Sequence, residues 1–399
     1  MIRMIYIDTA SDVKIWGLTG KERLLRMLSQ FRDVVIVDDP DQIGDDDRAL
    51  ILRDDYLFDP RILSDLVNGE NDYAVRYPHS DNIAAVLCQG KNSRRYLEAL
   101  EKNNIALIEN ELDLVIPQEM DILYYEKLKK NDPPYLYKVT DKNRRQSEKR
   151  LFAEVYKNVT DLVTLWVWPL PAYWMTRFCV RAKLSPNQLT LFGLVLVIIA
   201  GFAFWHGHFA TGLAAGWLMT FLDTVDGKLA RVTVTSSHKG HLLDHGIDLI
   251  HPPLWYLAWG MGLNQPLIHG FEVSMILWWM FAGYLGGRLF ELVFRAWLAP
   301  FSMFVWRPFD SVNRLVTARR NPCLILLTLA WLAGAPGAGL LAVALWHVIS
   351  TVILGIRLLQ AGLVKVRQGH LQTWLNEVDA VSDRSRLLVR MFTRLPETE

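Results

Sequence analysis

The stretch LDTVDGKLARVTVTSSHKGHLLDHGIDLI, residues 222–250, holds four aspartates in two spaced sets. Asp223, Asp226, Gly227, Ala230 and Arg231 stand at i, i+3, i+4, i+7 and i+8, a single stripe on a helix. After a turn over residues 232–239, Gly240, Asp244 and Asp248 stand at i, i+4 and i+8, a second stripe on the next helix. Two adjacent antiparallel helices can therefore bring four carboxylates together. Such a cluster in or near a bilayer is costly unless it is neutralised. Oxygen-only ligands favour hard cations, and Mg²⁺ pairs a few carboxylates with substrate phosphates. Gly227, Ala230 and Gly240 leave space for a bulky ligand, and Arg231 can offer a bidentate contact to a phosphate. Water-facing acids at helix ends, or the ion-coupling acids of a transporter, are competing readings that the combined spacing disfavours. His241 and His245 lie at i and i+4, but no HExxH pattern follows, so they are not expected to be ligands.

Around this stretch lie apolar runs near the roughly 20 residues a spanning helix needs. Six are expected: Leu189–Trp205, Phe209 to about Arg231, about Gly240 to Leu263, Val273–Trp297, Pro322–Ala335 and Gly339–Leu359. The fifth is short, and the second and third carry the carboxylates. The turn at 206–208, the loop at 264–272 and the turn at 335–338 contain no Lys or Arg. The opposite side receives Lys228, Arg231, Arg307, Arg314, Arg319, Arg320 and the basic tail, which predicts cytoplasmic termini and active site. The expected location is a cell (inner) membrane.

Composition agrees with a chain of two environments. The 399 residues are 51% hydrophobic, with 15 Trp, 3 Cys and a net charge of +1. Disorder and a disulfide scaffold are excluded, and the near-zero charge argues against a nucleic-acid partner. The average hides segregation: residues 1–140 carry 18 Lys+Arg and 26 Asp+Glu (net −8), leaving 25 and 16 (net +9) for the remainder.

Residues 1–140 alternate candidate strands (Met1–Ile7, Val34–Val37, Ala49–Leu52, Tyr73–Val75, Ile83–Leu87, Ile105–Ile108) with helical patterns over Lys21–Phe31, Pro60–Val67 and Asn92–Lys102. This predicts a soluble α/β domain with a largely parallel sheet, and no signal peptide ahead of it. Asp54 and Asp55 are a candidate cation pair, with a surface turn as the plainer reading. Residues 141–184 form an expected elbow. Leu151, Val155, Val159, Leu162 and Leu165 share a helical face, and Trp166, Trp168 and Trp174 follow, which predicts a helix lying on the cytoplasmic leaflet. The tail, 363–399, with Leu371, Trp374, Leu375 and Val378, is expected to lie similarly.

The pattern Asp223-x₂-Asp226-Gly227-x₂-Ala230-Arg231-x₈-Gly240-x₃-Asp244-x₃-Asp248 resembles the complete signature of the CDP-alcohol phosphotransferase (phosphatidyltransferase) family. The resemblance covers residues 185–362, beginning with Ser185-Pro186-Asn187-Gln188-Leu189-Thr190. It implies a six-helix polytopic membrane enzyme of phospholipid biosynthesis. Two divalent cations, Mg²⁺ with Mn²⁺ as a substitute, would be held by Asp223, Asp226, Asp244 and Asp248, with Asp248 as general base. Asn187, Thr190, Asp223, Gly227, Ala230, Arg231 and Gly240 would hold the CDP-linked donor. The acceptor alcohol, of an inositol-phosphate kind, would meet Arg288, Arg307, Arg319 and Arg320. Positive-inside anchoring explains each of these arginines singly about as well. The first domain resembles a nucleotidyltransferase of the inositol-phosphate branch, but Ile7-Asp8-Thr9-Ala10-Ser11-Asp12, without a glycine, stands where a Gly-rich phosphate loop belongs, so it is expected to be inactive. Such relatives form homodimers. Gly212-x₃-Gly216 and Gly283-x₃-Gly287 fit either a dimer or packing within one chain. A non-catalytic CDP-lipid-binding protein is a further alternative.

Overall fold

A computed structural model describes the chain except residues 1, 2, 79, 103–105, 121–123, 127, 237, 379–382, 384 and 394–399, and the side chains of 106, 107, 238, 239 and 241–245. The first domain is built on strands β1 (Arg3–Asp8), β2 (Val34–Val37), β3 (Arg48–Arg53), β4 (Tyr56–Phe58), β5 (Tyr73–Arg76), β6 (Ile83–Gln89) and β7 (Asp113–Val115). Its helices are α1 (Gly20–Leu28), α2 (Pro60–Asn68), α3 (Ser93–Glu101) and α4 (Ala106–Glu109). Thr19 starts α1 with a reciprocal cap: its hydroxyl accepts from the Glu22 N–H, and its own N–H donates to Glu22 Oε2.

The sheet order is β2-β1-β3-β6-β5-β7. It is mixed rather than largely parallel, because β6 runs antiparallel to both β3 and β5. A short return from β5 to β6 permits that pairing, whereas a parallel pair needs a long crossover. The expected strand at Ile105–Ile108 is replaced by α4, and β7 lies further on. Ile108 still reaches the core, as a short apolar run does in either conformation. Asp54 and Asp55 are buried and stand on no surface turn. Asp54 Oδ1 accepts from the Ala10 and Ser11 N–H groups at 2.7 and 3.0 Å, and Asp55 pairs with Arg53 at 2.9 Å. The loop after β1 is thus folded onto Asp54.

Three small strands follow: β8 (Tyr124–Tyr125), β9 (Lys130–Asn131) and β10 (Leu136–Lys138). β10 pairs with β4, while β8 and β9 form a hairpin. In the elbow, α5 (Arg144–Glu154) stops before Val155, so the predicted continuous 151–165 face is broken. The chain restarts at Asp161, whose Oδ1 accepts from the N–H groups of Val163 and Thr164 in the manner of an N-cap. Leu151 and Phe152 face Trp16 and Leu57 of the first domain instead of lipid. The exposed apolar face belongs to α6 (Pro169–Arg181), where Leu170, Trp174 and Phe178 at i, i+4 and i+8 are each more than half exposed.

The second half contains α7 (Pro186–Trp205), α8 (Phe209–Val232), α9 (His238–Gly262), α10 (Val273–Val293), α11 (Pro308–Val316), α12 (Arg320–Leu332), α13 (Pro336–Gln368) and α14 (Leu387–Phe392). Helices stand at all six expected positions. Among the described residues three are long and apolar enough to cross a membrane: Pro186–Trp205, Val273–Leu298 (α10 with its π-helical end) and Pro336–Gln368. At 1.5 Å per residue, α12 is only about 20 Å long, short of a hydrocarbon core of roughly 30 Å. α13, at about 50 Å, runs well past the predicted end at Leu359. α7 packs along α8 and α9, α10 along α13, and α12 between α8 and α13. Both Gly pairs are used inside the chain. A Cβ on Gly212 would strike the Phe204 ring, and one on Gly283 would meet the His347 backbone at 2.8 Å. The tail does not lie free on a leaflet: Leu371, Trp374 and Leu375 are buried with Phe304 and Trp306.

Candidate active site

The carboxylates sit where α7, α8, α9 and α12 meet. Ser185 and Gln188 form a capping box that starts α7, placing Thr190 one turn inside. The Thr190 hydroxyl donates to Asp226 Oδ2 at 2.7 Å. Asp226 is 5% exposed, so this bond fixes its rotamer. Asp223 lies one turn back on α8 and Asp248 faces it from α9. Arg320, the first residue of α12, pairs with both Asp223 and Asp248 through its two terminal nitrogens. One guanidinium therefore bridges two helices at the point where negative charge concentrates.

Asp248 lies one turn before two prolines inside α9. Pro252 and Pro253 follow it within the helix and supply no N–H, which strips the Asp248 and Leu249 carbonyls of their i+4 donors. The Tyr284 hydroxyl, from α10, donates to the Leu249 carbonyl at 2.7 Å. His251 Nδ1 lies 2.7 Å from the Ile247 carbonyl.

The other expected donor residues are placed as follows. Asn187 is exposed at the start of α7, and Ala230 is half-buried on α8. Arg231 lies against Gly227, 3.3 Å from where a Cβ would stand, and its Nε donates to the Val155 carbonyl at 3.1 Å. Lys228 Nζ donates to the same carbonyl and lies 3.3 Å from the Tyr156 ring centroid. The basic end of α8 is thus tied to the elbow. The Asp244 side chain lies outside the described residues, as do those of His241 and His245. Among the described residues no three acidic, His or Cys side chains converge as a metal cage, since Arg320 stands between Asp223 and Asp248. In donor chemistry the set fits a hard divalent cation: oxygen ligands only, with a counter-charge required.

A second, narrow pocket opens beside α10, α12 and α13, lined by Arg288, Glu291, Arg319, Tyr284, His347 and Ser350. Glu291 pairs with Arg319 and lies 4.0 Å from Arg288. Of the four expected acceptor arginines, the structure brings Arg288 and Arg319 together here. Arg320 is directed into the carboxylates. Arg307 lies over Trp306, and its N–H is capped by Asp310. Sequence reading missed Glu291, Tyr284 and Asp161. Asp161 accepts from Asn321 Nδ2 at 2.9 Å and so anchors the start of α12 to the elbow. A Glu three residues after Arg288 in an apolar span was the available signal.

Residues 183–353 match the family model described as CDP-alcohol phosphatidyltransferase. Over this segment the chain resembles the CDP-alcohol phosphatidyltransferases. The chain is similar to the bifunctional IPC transferase and DIPP synthase of Rubrobacter xylanophilus, 31% identical over 162 residues, 40% of this chain and 34% of that protein. It is also similar to choline/ethanolaminephosphotransferase 2 of Arabidopsis thaliana, 37% identical over 90 residues, 19% of this chain and 23% of that one. The phosphatidylinositol phosphate synthase of Mycobacteroides abscessus is 28% identical over 95 residues, 22% of this chain and 43% of its own. In each case less than half of the relative is spanned. The matched segment contains Asp223, Asp226, Asp244 and Asp248, together with Arg288 and Arg319 of the second pocket.

Proposed function

We propose that the chain is an integral-membrane CDP-alcohol phosphotransferase of phospholipid synthesis. It would transfer a phosphatidyl group from CDP-diacylglycerol to a polar, phosphate-bearing alcohol, with release of CMP. The observation that carries this reading is the meeting of Asp223, Asp226 and Asp248 across α8 and α9, beside a separate cationic pocket. Divalent cations, held by these three and Asp244, would supply charge neutralisation for the donor diphosphate and for departing CMP. Thr190 keeps Asp226 oriented. Asp248, the most exposed of the three, accepts the proton of the attacking hydroxyl, and the acceptor oxygen bonds to the donor's lipid-side phosphorus as the bond to CMP breaks. Arg231 and Asn187 would hold the cytidine diphosphate. Arg288 and Arg319 hold the acceptor's anionic group.

The six helices would all cross the bilayer, with α6 on the cytoplasmic leaflet through Leu170, Trp174 and Phe178. The first domain, its loop closed on Asp54, would perform no nucleotidyl transfer, and the chain would work as a homodimer in a cell membrane. The test is CMP release by purified protein with Mg²⁺, CDP-diacylglycerol and a panel of phosphorylated and neutral alcohols. Turnover with a phosphorylated alcohol, lost in Asp248→Asn, supports the reading. No CMP from any donor–acceptor pair, or unchanged turnover in Asp248→Asn, sinks it.

A further inference from the structure

Three cations from three separate parts of the chain surround one buried ring. The Phe304 centroid lies 5.9 Å from Lys129 Nζ, 5.5 Å from Arg314 Cζ and 5.4 Å from Arg319 Cζ. Arg314 comes from α11 and Arg319 caps α12, both in the membrane half. Lys129 comes from the first domain, on the turn between β8 and β9. That hairpin is seated on the tail and the elbow: Asn131 Nδ2 donates to the Leu375 carbonyl, and the Asn158 N–H to the Leu128 carbonyl at 3.2 Å. Lys129 itself is held at φ +51°, a conformation that a lysine adopts only when its surroundings impose it.

The cations outnumber their counter-charges. Glu291 is shared among Arg319, Arg288, Arg314 and Lys129, and Asp161 faces Arg314, so among the described residues two carboxylates stand against four cations. Arg314 Nη1 and Arg319 Nε are buried with no hydrogen-bond partner. Buried guanidinium N–H groups without acceptors are costly, and a cluster with excess positive charge lacks an anion. A cation–π contact with Phe304 offsets part of this cost but accepts no hydrogen bond.

We infer that the first domain completes the acceptor site: Lys129, which shares the Phe304 ring with Arg319, adds its charge to the arginine pocket and selects an acceptor that carries a phosphate monoester. The inference rests on reading that pocket as the acceptor site. It gives the first domain a part in the reaction that needs no nucleotide chemistry. Burial among Arg314, Lys157 and Arg319 also depresses the Lys129 ammonium to about 7, a penalty that a bound dianion would relieve.

The test uses the full chain in nanodiscs, with inorganic phosphate as the probe in calorimetric titration. Wild type should bind phosphate. Lys129→Met should weaken it by about tenfold, Arg319→Met by at least as much, and Lys129→Arg should restore most of the loss, as a charge-assisted contact worth about 1.4 kcal/mol requires. A CDP titration and a melting curve establish that each variant is folded. Equal phosphate affinity in wild type and Lys129→Met overturns the inference. So does a wild type that binds no phosphate, or a folded Lys129→Arg no better than Lys129→Met. The two readings fail separately. Phosphate binding that depends on Lys129, in a protein that releases no CMP, removes the transferase and leaves this site standing.

Discussion

The Tyr284 hydroxyl donates to the Leu249 carbonyl across the α9–α10 interface, at 2.7 Å. That carbonyl is the one Pro253 leaves without its helical donor, and it belongs to the residue after Asp248. In a bilayer an orphaned carbonyl finds no water, so the bond from α10 both satisfies the backbone and sets the depth of the proposed base. Tyr284→Phe removes the donor and little else. It should cost about 1–2 kcal/mol, read as a lower melting temperature in detergent, and reduce CMP release through misplacement of Asp248. An unchanged melting temperature would show that α9 does not depend on this tie.

Thr190 and Asp226 give a cleaner separation of charge from geometry. Thr190→Val keeps the shape and removes the hydroxyl that orients a buried carboxylate. Loss of a partner that orients a metal ligand typically costs 10–100-fold in metal affinity, so the Mg²⁺ concentration for half-maximal CMP release should rise by about that factor. Thr190→Ser, which keeps the donor, should stay within a few-fold of wild type. Equal Mg²⁺ dependence in all three proteins would remove Thr190 from the site.

The two carboxylate stripes were legible because helical spacing alone places Asp223, Asp226, Asp244 and Asp248, and α8 and α9 stand where that spacing puts them. Hydropathy located the helices for the same reason. What spacing could not show is long-range. Arg320 is 97 residues from Asp223 and was assigned to the acceptor by its neighbourhood in sequence, yet α12 packs on α8 and turns it into the carboxylates. The elbow failed differently. Leu151 through Leu165 keep a helical period, but Asp161 caps a new helix and breaks it. Lys129 carried no sequence signal at all, because its neighbours around Phe304 come from α11 and α12.

Arg320 bridges Asp223 and Asp248, so it serves as their counter-charge where no divalent cation is bound. Arg320→Met should then leave two carboxylates facing each other without compensation, the costly half of a broken buried pair. Without divalent cations the variant should melt several degrees below wild type. Mg²⁺ should raise its melting temperature more than that of wild type, since the cation no longer competes with a guanidinium. Equal Mg²⁺-induced shifts in the two proteins would show that Arg320 and the cation do not share the site.

Lys129 makes stability depend on pH in a direction opposite to that of a lysine in an ordinary ion pair. Its ammonium is held down to about 7, first by burial and then by Arg314, Lys157 and Arg319, against the smaller opposing pull of Glu291. Between about pH 7 and the ordinary lysine value, the unfolded chain therefore binds a proton that the folded chain does not. Stability from this group rises with pH across that window and is lost as pH falls towards 7. Lys129→Met cannot charge in either state. In phosphate-free buffer it should melt above wild type at pH 7, and the gap should narrow as pH rises towards 10. Phosphate should close the gap at pH 7 by stabilising only the wild type, because an anion among these cations favours the charged lysine. A gap between the two melting curves that does not change with pH would mean that Lys129 keeps its ordinary ionisation in the folded protein.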